Sequence, residues 1–324
     1  MSMTPEQATW YQGTFHRLVS NVDIALQGKT DVVSLVLAAM LAEGHVLLED
    51  APGTGKTSLA KALAASVQGT SSRIQFTPDL LPSDVTGVTI YDQKTQTFNF
   101  HKGPVFASIV LADEINRASP KTQSAMLEVM EESRVTIDGV AHETGRPFLV
   151  IATQNPVEQA GTYKLPEAQL DRFLIKTSIG YPDREVTARI LAGAAVRNPS
   201  AQLSAVITTS AVADMADLAA TVHVEPAVLQ YVAELAEASR HDPAIHLGVS
   251  VRGALAMVRI AKVWAAAHGR HYVIPDDIKA LAAAVWTHRL LLDPEAEFSG
   301  TTAETVMARV VDSVAAPQAR ADAA

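Results

Sequence analysis

The chain has no cysteine, which excludes disulfides, thiolate metal centres and cysteine nucleophiles and allows a reducing compartment without establishing one. The opening MSMTPEQATWYQG lacks the basic segment and apolar core of a secretion signal, so nothing directs export and a cytoplasmic location is expected. Long apolar runs are also missing. Near the start the longest, Val32 to Ala42 between Asp31 and Glu43, is about half the length of a membrane span and reads as a buried helix. The ten histidines show no paired metal spacing such as His-Glu-x-x-His, so each reads as a surface or core side chain. A net charge of −9 and the lack of any dense Lys/Arg cluster give no attraction to phosphate backbones, and no nucleic-acid partner is expected.

What is present is a globular composition, 48% hydrophobic and 19% charged over 324 residues, long enough for two domains. Apolar residues recur at helical spacing in Phe15 to Ala25 and in Val32 to Leu41, with Gly28 between them. His45 to Glu49 is a short apolar run that enters a Gly/Pro-rich turn, and Ser58 to Leu63 is helix-forming. That is strand, loop, helix. Ser108 to Ala112 and Pro147 to Ala152 are continuous apolar runs, as expected of parallel strands covered on both faces. With helices between them, the first half reads as α/β.

Two hairpins interrupt this alternation. Val88 to Tyr91 and Thr97 to Phe100 flank a polar turn, and Arg134 to Ile137 and Val140 to Glu143 flank Asp138-Gly139, a strong two-residue hairpin signal. After Gly180-Tyr181-Pro182-Asp183 the sequence turns Ala-rich and helical with no further strong strand run. Helix starts are read at Pro182-Asp183 and at Ile274-Pro275-Asp276-Asp277, where Pro suits the first turn and carboxylates the positive end of the dipole. Trp264 and Trp286, in Ala-rich stretches, read as core anchors.

The chemistry concentrates in EDAPGTGKT at 49–57, a phosphate-loop pattern between a strand and a helix. Its candidate nucleotide contacts are Asp50, Ala51, Pro52, Gly53, Thr54, Gly55, Lys56, Thr57 and Ser58. Gly53 and Gly55 let backbone N–H groups approach phosphates, Lys56 reaches β/γ oxygens, and Thr57 holds Mg²⁺. Asp50 stands where the strict pattern has Gly, and alone the loop also fits a structural turn. A second motif, Ile109-Val110-Leu111-Ala112-Asp113-Glu114, is an apolar strand ending in two acids. Asp113 suits the Mg²⁺ shell and Glu114 the polarisation of attacking water, the division of labour that γ-phosphate hydrolysis needs. A third strand ends in Thr153-Gln154-Asn155-Pro156, where Asn155 either senses the γ-phosphate or serves turn chemistry. Gln75 and Thr77 end another predicted strand and either restrain Glu114 or pack and cap.

The order of these motifs resembles the MoxR family of AAA+ ATPases over nearly the whole chain. It rests on EDAPGTGKT at 49–57, RIQFTPDLLPSDVTG at 73–87, FHKGPVF at 100–106, LADEINRASPKTQSAMLEVMEE at 111–132, ATQNP at 152–156 and GTYKLPEAQLDRF at 161–173. The resemblance implies an α/β P-loop core with a parallel sheet (1–182, with N-terminal helices), a small all-α lid (183–315) and a flexible tail (316–324). It implies that Asp50 is an accepted variant of the Walker A loop, and that the hairpins are the helix-2 insert and pre-sensor hairpin shared with MCM helicases and magnesium chelatases. It gives Asn155 the sensor-1 role, Arg172 that of an arginine finger inserted into a neighbour's site, and Arg252 that of sensor 2. Val251 and Lys164 stand where the family usually has Pro.

The function so implied is ATP hydrolysis with ATP and Mg²⁺ as cofactors, in a homo-oligomeric ring expected to be a hexamer. That ring would remodel or activate a client protein, with a von Willebrand factor A (VWA) domain partner and roles in metal-cofactor insertion or enzyme maturation. Two alternatives stand beside it: an MCM-like nucleic-acid motor, and a non-catalytic scaffold regulated by ATP.

Overall fold

The computed structural model describes residues 2–155, 162–192 and 203–317. In chain order the elements are α1 (Pro5–Asp23), α2 (Thr30–Leu41), β1 (Val46–Glu49), α3 (Lys56–Ser66), β2 (Ser71–Gln75), α4 (Pro82–Thr86), β3 (Gly87–Asp92), β4 (Thr97–Lys102), β5 (Ile109–Asp113), α5 (Pro120–Glu132), β6 (Arg134–Ile137), β7 (Val140–Glu143) and β8 (Leu149–Gln154). They continue with α6 (Glu167–Leu170), β9 (Ile175–Thr177), α7 (Arg184–Ala192), α8 (Thr209–Ala220), α9 (Pro226–His241), β10 (Ile245–Leu247), α10 (Val251–Ala267), α11 (Pro275–Trp286), β11 (Leu291–Leu292), α12 (Pro294–Phe298) and α13 (Ala303–Ser313). Two compact units emerge: Thr14–Phe173 with Thr177–Met215, and Met1–Gly13 with Leu174–Lys176 and Ala216–Ala324.

The main sheet has five strands in the order β2-β5-β8-β1-β9, of which β2, β5, β8 and β1 belong to the first unit. The β1–β8, β5–β8 and β2–β5 pairs are parallel. Every residue of β5 is buried, as a central strand covered on both faces requires. β2 lies at an edge and alternates, with Ile74 buried and Arg73 and Gln75 outside the core. The alternation of side chains along a strand puts Arg73 and Gln75 on one face. Phe76, Val110, Met126, Val150 and Phe173 are among the buried residues of one apolar cluster beneath the sheet. The chain crosses from β1 through α3 to β2, passing β8 and β5, so the reversal of direction in the sheet lies beside β1. Open parallel sheets bind ligands at the carboxyl ends of strands flanking such a point.

Both expected hairpins form. β3 pairs with β4 in antiparallel register from Gly87–Lys102 to Asp92–Thr97, and β6 with β7 from Arg134–Glu143 to Ile137–Val140. The turn Asp138-Gly139 has positive φ at both positions, 51° and 79°, the backbone of the tight hairpin turn that this dipeptide favours.

The second unit is mainly helical. Trp286 is fully buried and its indole Nε1 donates to the Gly253 carbonyl at 3.0 Å. Trp264 is only half-buried and lies tilted against His268, so of the two tryptophans Trp286 is the core anchor. Asp277 accepts the Ile274 N–H at 3.0 Å and two Arg270 hydrogen bonds at 2.6 Å, closing the start of α11 as its sequence predicts. The helical reading missed one feature. β10 and β11 form a short antiparallel pair, and strands of three and two residues are too short for a period to show.

Candidate functional site

The carboxyl ends of β1, β2, β5 and β8 are Glu49, Gln75, Asp113 and Gln154. In register, Gln75 sits opposite Asp113 and Glu49 opposite Gln154, so the loops leaving these strands meet along one edge. There they surround a cavity of about 400 Å³. Pro52, Gly53, Gly55, Lys56, Thr57 and Ser58 form one wall, while Arg73, Gln75, Asp113, Glu114 and Asn155 form the other.

The first wall is an anion seat. Gly53 and Gly55 have φ of 85° and 100°, a left-handed region costly for any residue with a Cβ. A Cβ on Gly55 would also come within 2.7 Å of Leu26 Cδ1. Gly55 is the N-cap of α3 and no side chain caps that helix. Its first N–H groups and the positive end of its dipole are therefore available to phosphate oxygens. Lys56 Nζ donates to the Asp50 carbonyl at 3.3 Å.

Asp50, Ala51 and Thr54 do not line the cavity. The buried Asp50 carboxylate accepts the N–H groups of Ile179 at 2.7 Å and Gly180 at 2.8 Å. Where the strict loop pattern has Gly, this side chain ties the loop to the segment after β9. Thr54 hydroxyl turns back to the Ala51 carbonyl at 3.4 Å.

The second wall is an ordered polar network. Thr153 Oγ1 donates to Asp113 Oδ1 at 2.7 Å and accepts the Glu114 N–H at 2.9 Å, locking the two acids together. Glu114 itself is left-handed, φ 57° and ψ 49°, a conformation that non-glycine residues adopt mainly where surrounding contacts enforce it. Its Oε2 accepts from Gln75 Nε2 and from Arg117 Nη1, both at 2.9 Å. Of the two residues read as restraints on Glu114, Gln75 makes the contact. Thr77 hydroxyl donates instead to Asp79, holding that carboxyl below its ordinary range. Arg73 was not singled out in the sequence, yet its Nη2 lies 2.5 Å from Asp113 Oδ2.

Thr57 and Asp113 are hard oxygen donors facing one cavity, and the Arg73 guanidinium shows that Asp113 accommodates a cation there. These donors fit Mg²⁺. Among the described residues no cluster of three His, Cys, Asp or Glu forms a closed metal cage. With Mg²⁺ bound there, phosphate and water would supply the remaining ligands, the usual arrangement for this ion.

Arg172 and Arg252 are not in the cavity wall. Arg172 follows α6 and pairs with Glu131 of α5 at 3.0 Å, its own Nε being buried without a hydrogen-bond partner. Arg252 is the second residue of α10, exposed and in the helical unit. Pro156 to Gly161 lie outside the described residues.

Comparison with known proteins agrees with this layout. Residues 45–175 match the ATPase family associated with various cellular activities (AAA), and residues 237–310 match the AAA lid domain. The uncharacterized protein YeaC of Bacillus subtilis (strain 168) is 47% identical over 314 residues, 96% of this chain and 98% of YeaC. Chaperone MoxR1 of Mycobacterium tuberculosis (strain ATCC 25618 / H37Rv) is 40% identical over 317 residues, 95% of this chain and 84% of MoxR1. A crystal structure from Cytophaga hutchinsonii ATCC 33406, assigned as an ATPase, superposes with a TM-score of 0.89 at 36% identity, covering 97% of this chain and 98% of its own. With the AAA and AAA lid matches and relatives of this similarity over nearly its whole length, the chain belongs to the MoxR family of AAA+ ATPases.

Proposed function

We propose that the chain hydrolyses ATP and couples the hydrolysis to remodelling or activation of a client protein, as a homo-oligomeric ring in which a neighbour completes each site. The observation that carries this reading is the convergence of Lys56, Thr57, Asp113, Glu114 and Asn155 on one cavity. The strands bring together an anion seat, hard oxygen donors and a carboxylate held for proton work. When bound through Thr57 and Asp113, Mg²⁺ neutralises phosphate charge.

Lys56 exchanges the Asp50 carbonyl for β/γ oxygens. The α3 N–H groups cradle the phosphates. Glu114, once freed of its Gln75 contact, orients and deprotonates a water at the γ-phosphorus. Asn155 donates to the γ-phosphate or that water. Arg172 leaves Glu131 and stabilises transition-state charge in the adjacent subunit. Arg252 serves as the lid's phosphate sensor.

A protein client suits the hairpins better than a nucleic acid does. Lys102 Nζ is placed 5.0 Å over the Phe106 ring and Arg134 pairs with Glu132 at 3.0 Å, so two of the few hairpin cations are already engaged. β3 and β4 instead expose Tyr91 and Phe98, paired across the strands on one face with ring centroids 5.0 Å apart, and Ile90 on the other face, apolar surface suited to polypeptide. A VWA-domain partner and an enzyme-maturation role extend the proposal. Among the described residues no helix is long and apolar enough to cross a membrane.

Sedimentation of the Glu114→Gln chain with ATP tests the ring. A hexamer-sized species that holds ATP is the expected result, and a monomer under every nucleotide condition contradicts assembly. Salt-sensitive DNA binding by that species would favour the motor reading instead.

A further inference from the structure

Arg73, the first residue of the 73–87 motif, is a cation in the nucleotide cavity to which the motif assigns no role. Its Nη2 meets Asp113 Oδ2 at 2.5 Å, and the same nitrogen lies 3.1 Å from Gln75 Oε1. Gln75 Nε2 in turn reaches Glu114 Oε2 at 2.9 Å. The chemistry of the neighbours fixes the orientation of the Gln75 amide. Arginine only donates and an ionised carboxylate only accepts, so the amide oxygen faces Arg73 and its NH₂ faces Glu114. A relay therefore runs from the metal-shell acid, through Arg73 and Gln75, to the proposed base.

The relay is a product of strand geometry. Arg73 and Gln75 are two apart on β2, on the same face, and Gln75 is opposite Asp113 in the ladder. Ile74 between them is buried and anchors the strand. The Arg73 side chain is 52% exposed, so it can leave Asp113 without disturbing the core.

We propose that Arg73 is a metal-responsive latch that stands in for the cation at Asp113 and, through Gln75, holds Glu114 in reserve. This inference rests on the ATPase reading above and names a regulator of that site. A guanidinium in contact with Asp113 and a divalent cation held by the same carboxylate repel each other, and a protein cavity screens that repulsion less than water does. Arg73 must therefore release Asp113 for Mg²⁺ to be held. Its departure removes the partner that orients Gln75, and the restraint on Glu114 loosens only when the site is loaded. Arg117 is the second donor to Glu114 Oε2. Arg73 is a positioning residue: it acts on the base through Gln75.

Mn²⁺ affinity of the full chain with ADP, read from the paramagnetic resonance of free Mn²⁺, tests the inference without using turnover. Arg73→Met should tighten Mn²⁺ by about five- to tenfold by removing the competing charge, and Arg73→Lys, which keeps the charge, should stay within about twofold of the unmodified chain. Gln75→Ala should tighten it by about twofold alone and by nothing further in the Arg73→Met background, because its effect passes through Arg73. Unchanged or weaker Mn²⁺ binding in Arg73→Met, or equal tightening by Met and Lys, overturns the charge competition. Equal effects of Gln75→Ala in both backgrounds overturn the relay. Failure of the unmodified chain to bind Mn²⁺ with ADP at all overturns the nucleotide-site reading itself, and the latch with it.

Discussion

Replacing Glu114 by Gln is expected to leave ATP binding intact and to lower turnover by about 10²- to 10⁴-fold, the range that a positioned general base contributes. The substitution keeps shape and removes only the basic carboxylate. The left-handed backbone at Glu114 and its N–H bond to Thr153 do not depend on the side chain. A Gln at this position still offers an oxygen to Gln75 and Arg117. The anion seat, formed by the glycines, Lys56 and the start of α3, is on the opposite wall and stays intact. Equilibrium binding of a fluorescent ATP analogue and phosphate release, measured on one preparation, separate the two effects. Undiminished hydrolysis removes Glu114 from the role of base.

The second large effect is expected at Arg172, where Ala should lower turnover of assembled rings by about 10³-fold or more, the contribution typical of an arginine finger. Arg172 lines no part of its own chain's cavity and is held by Glu131. That partly exposed pair contributes on the order of 0–1 kcal/mol to stability, so the Ala variant should fold and bind ATP as before. Mixing resolves the direction of action. Arg172→Ala subunits retain complete loops, and Lys56→Ala subunits retain the finger. If Arg172 acts across the interface, mixed rings recover part of the turnover that neither variant shows alone. No recovery at any ratio contradicts action between subunits.

The parts of this site that could be read from the sequence are those in which chemistry is local. The phosphate loop, the apolar strand ending in Asp113-Glu114 and the Asp138-Gly139 hairpin each announce themselves within about ten residues, because strand alternation, positive φ and helix starts are short-range properties. The helix α1 was partly legible: it begins at Pro5 although the reading began at Phe15, and the buried Ala8, Tyr11, Phe15 and Leu18 continue one helical face through the polar stretch.

Arg73 was not legible, since its contact with Asp113 depends on the β2–β5 register, which joins residues 40 apart in sequence. The same holds for Asp50. Its place in the loop makes it a candidate nucleotide contact and its departure from the pattern is unexplained locally, because its carboxylate serves two backbone N–H groups 129 and 130 residues away. Gln75 lies between these cases: its position at a strand end suggests a restraint on Glu114, and the β2–β5 register is what separates it from Thr77 as the residue that makes the contact.

Hydrolysis of ATP in the cavity between Lys56 and Glu114 is measured as steady-state phosphate release by the purified, unmodified chain with Mg²⁺ and ATP, with the Lys56→Ala chain as the blank. The expected result is sustained, Mg²⁺-dependent release that the Lys56→Ala chain lacks. Release no greater than that of the blank, from a chain shown to bind ATP, contradicts hydrolysis there and leaves a nucleotide-regulated scaffold in its place.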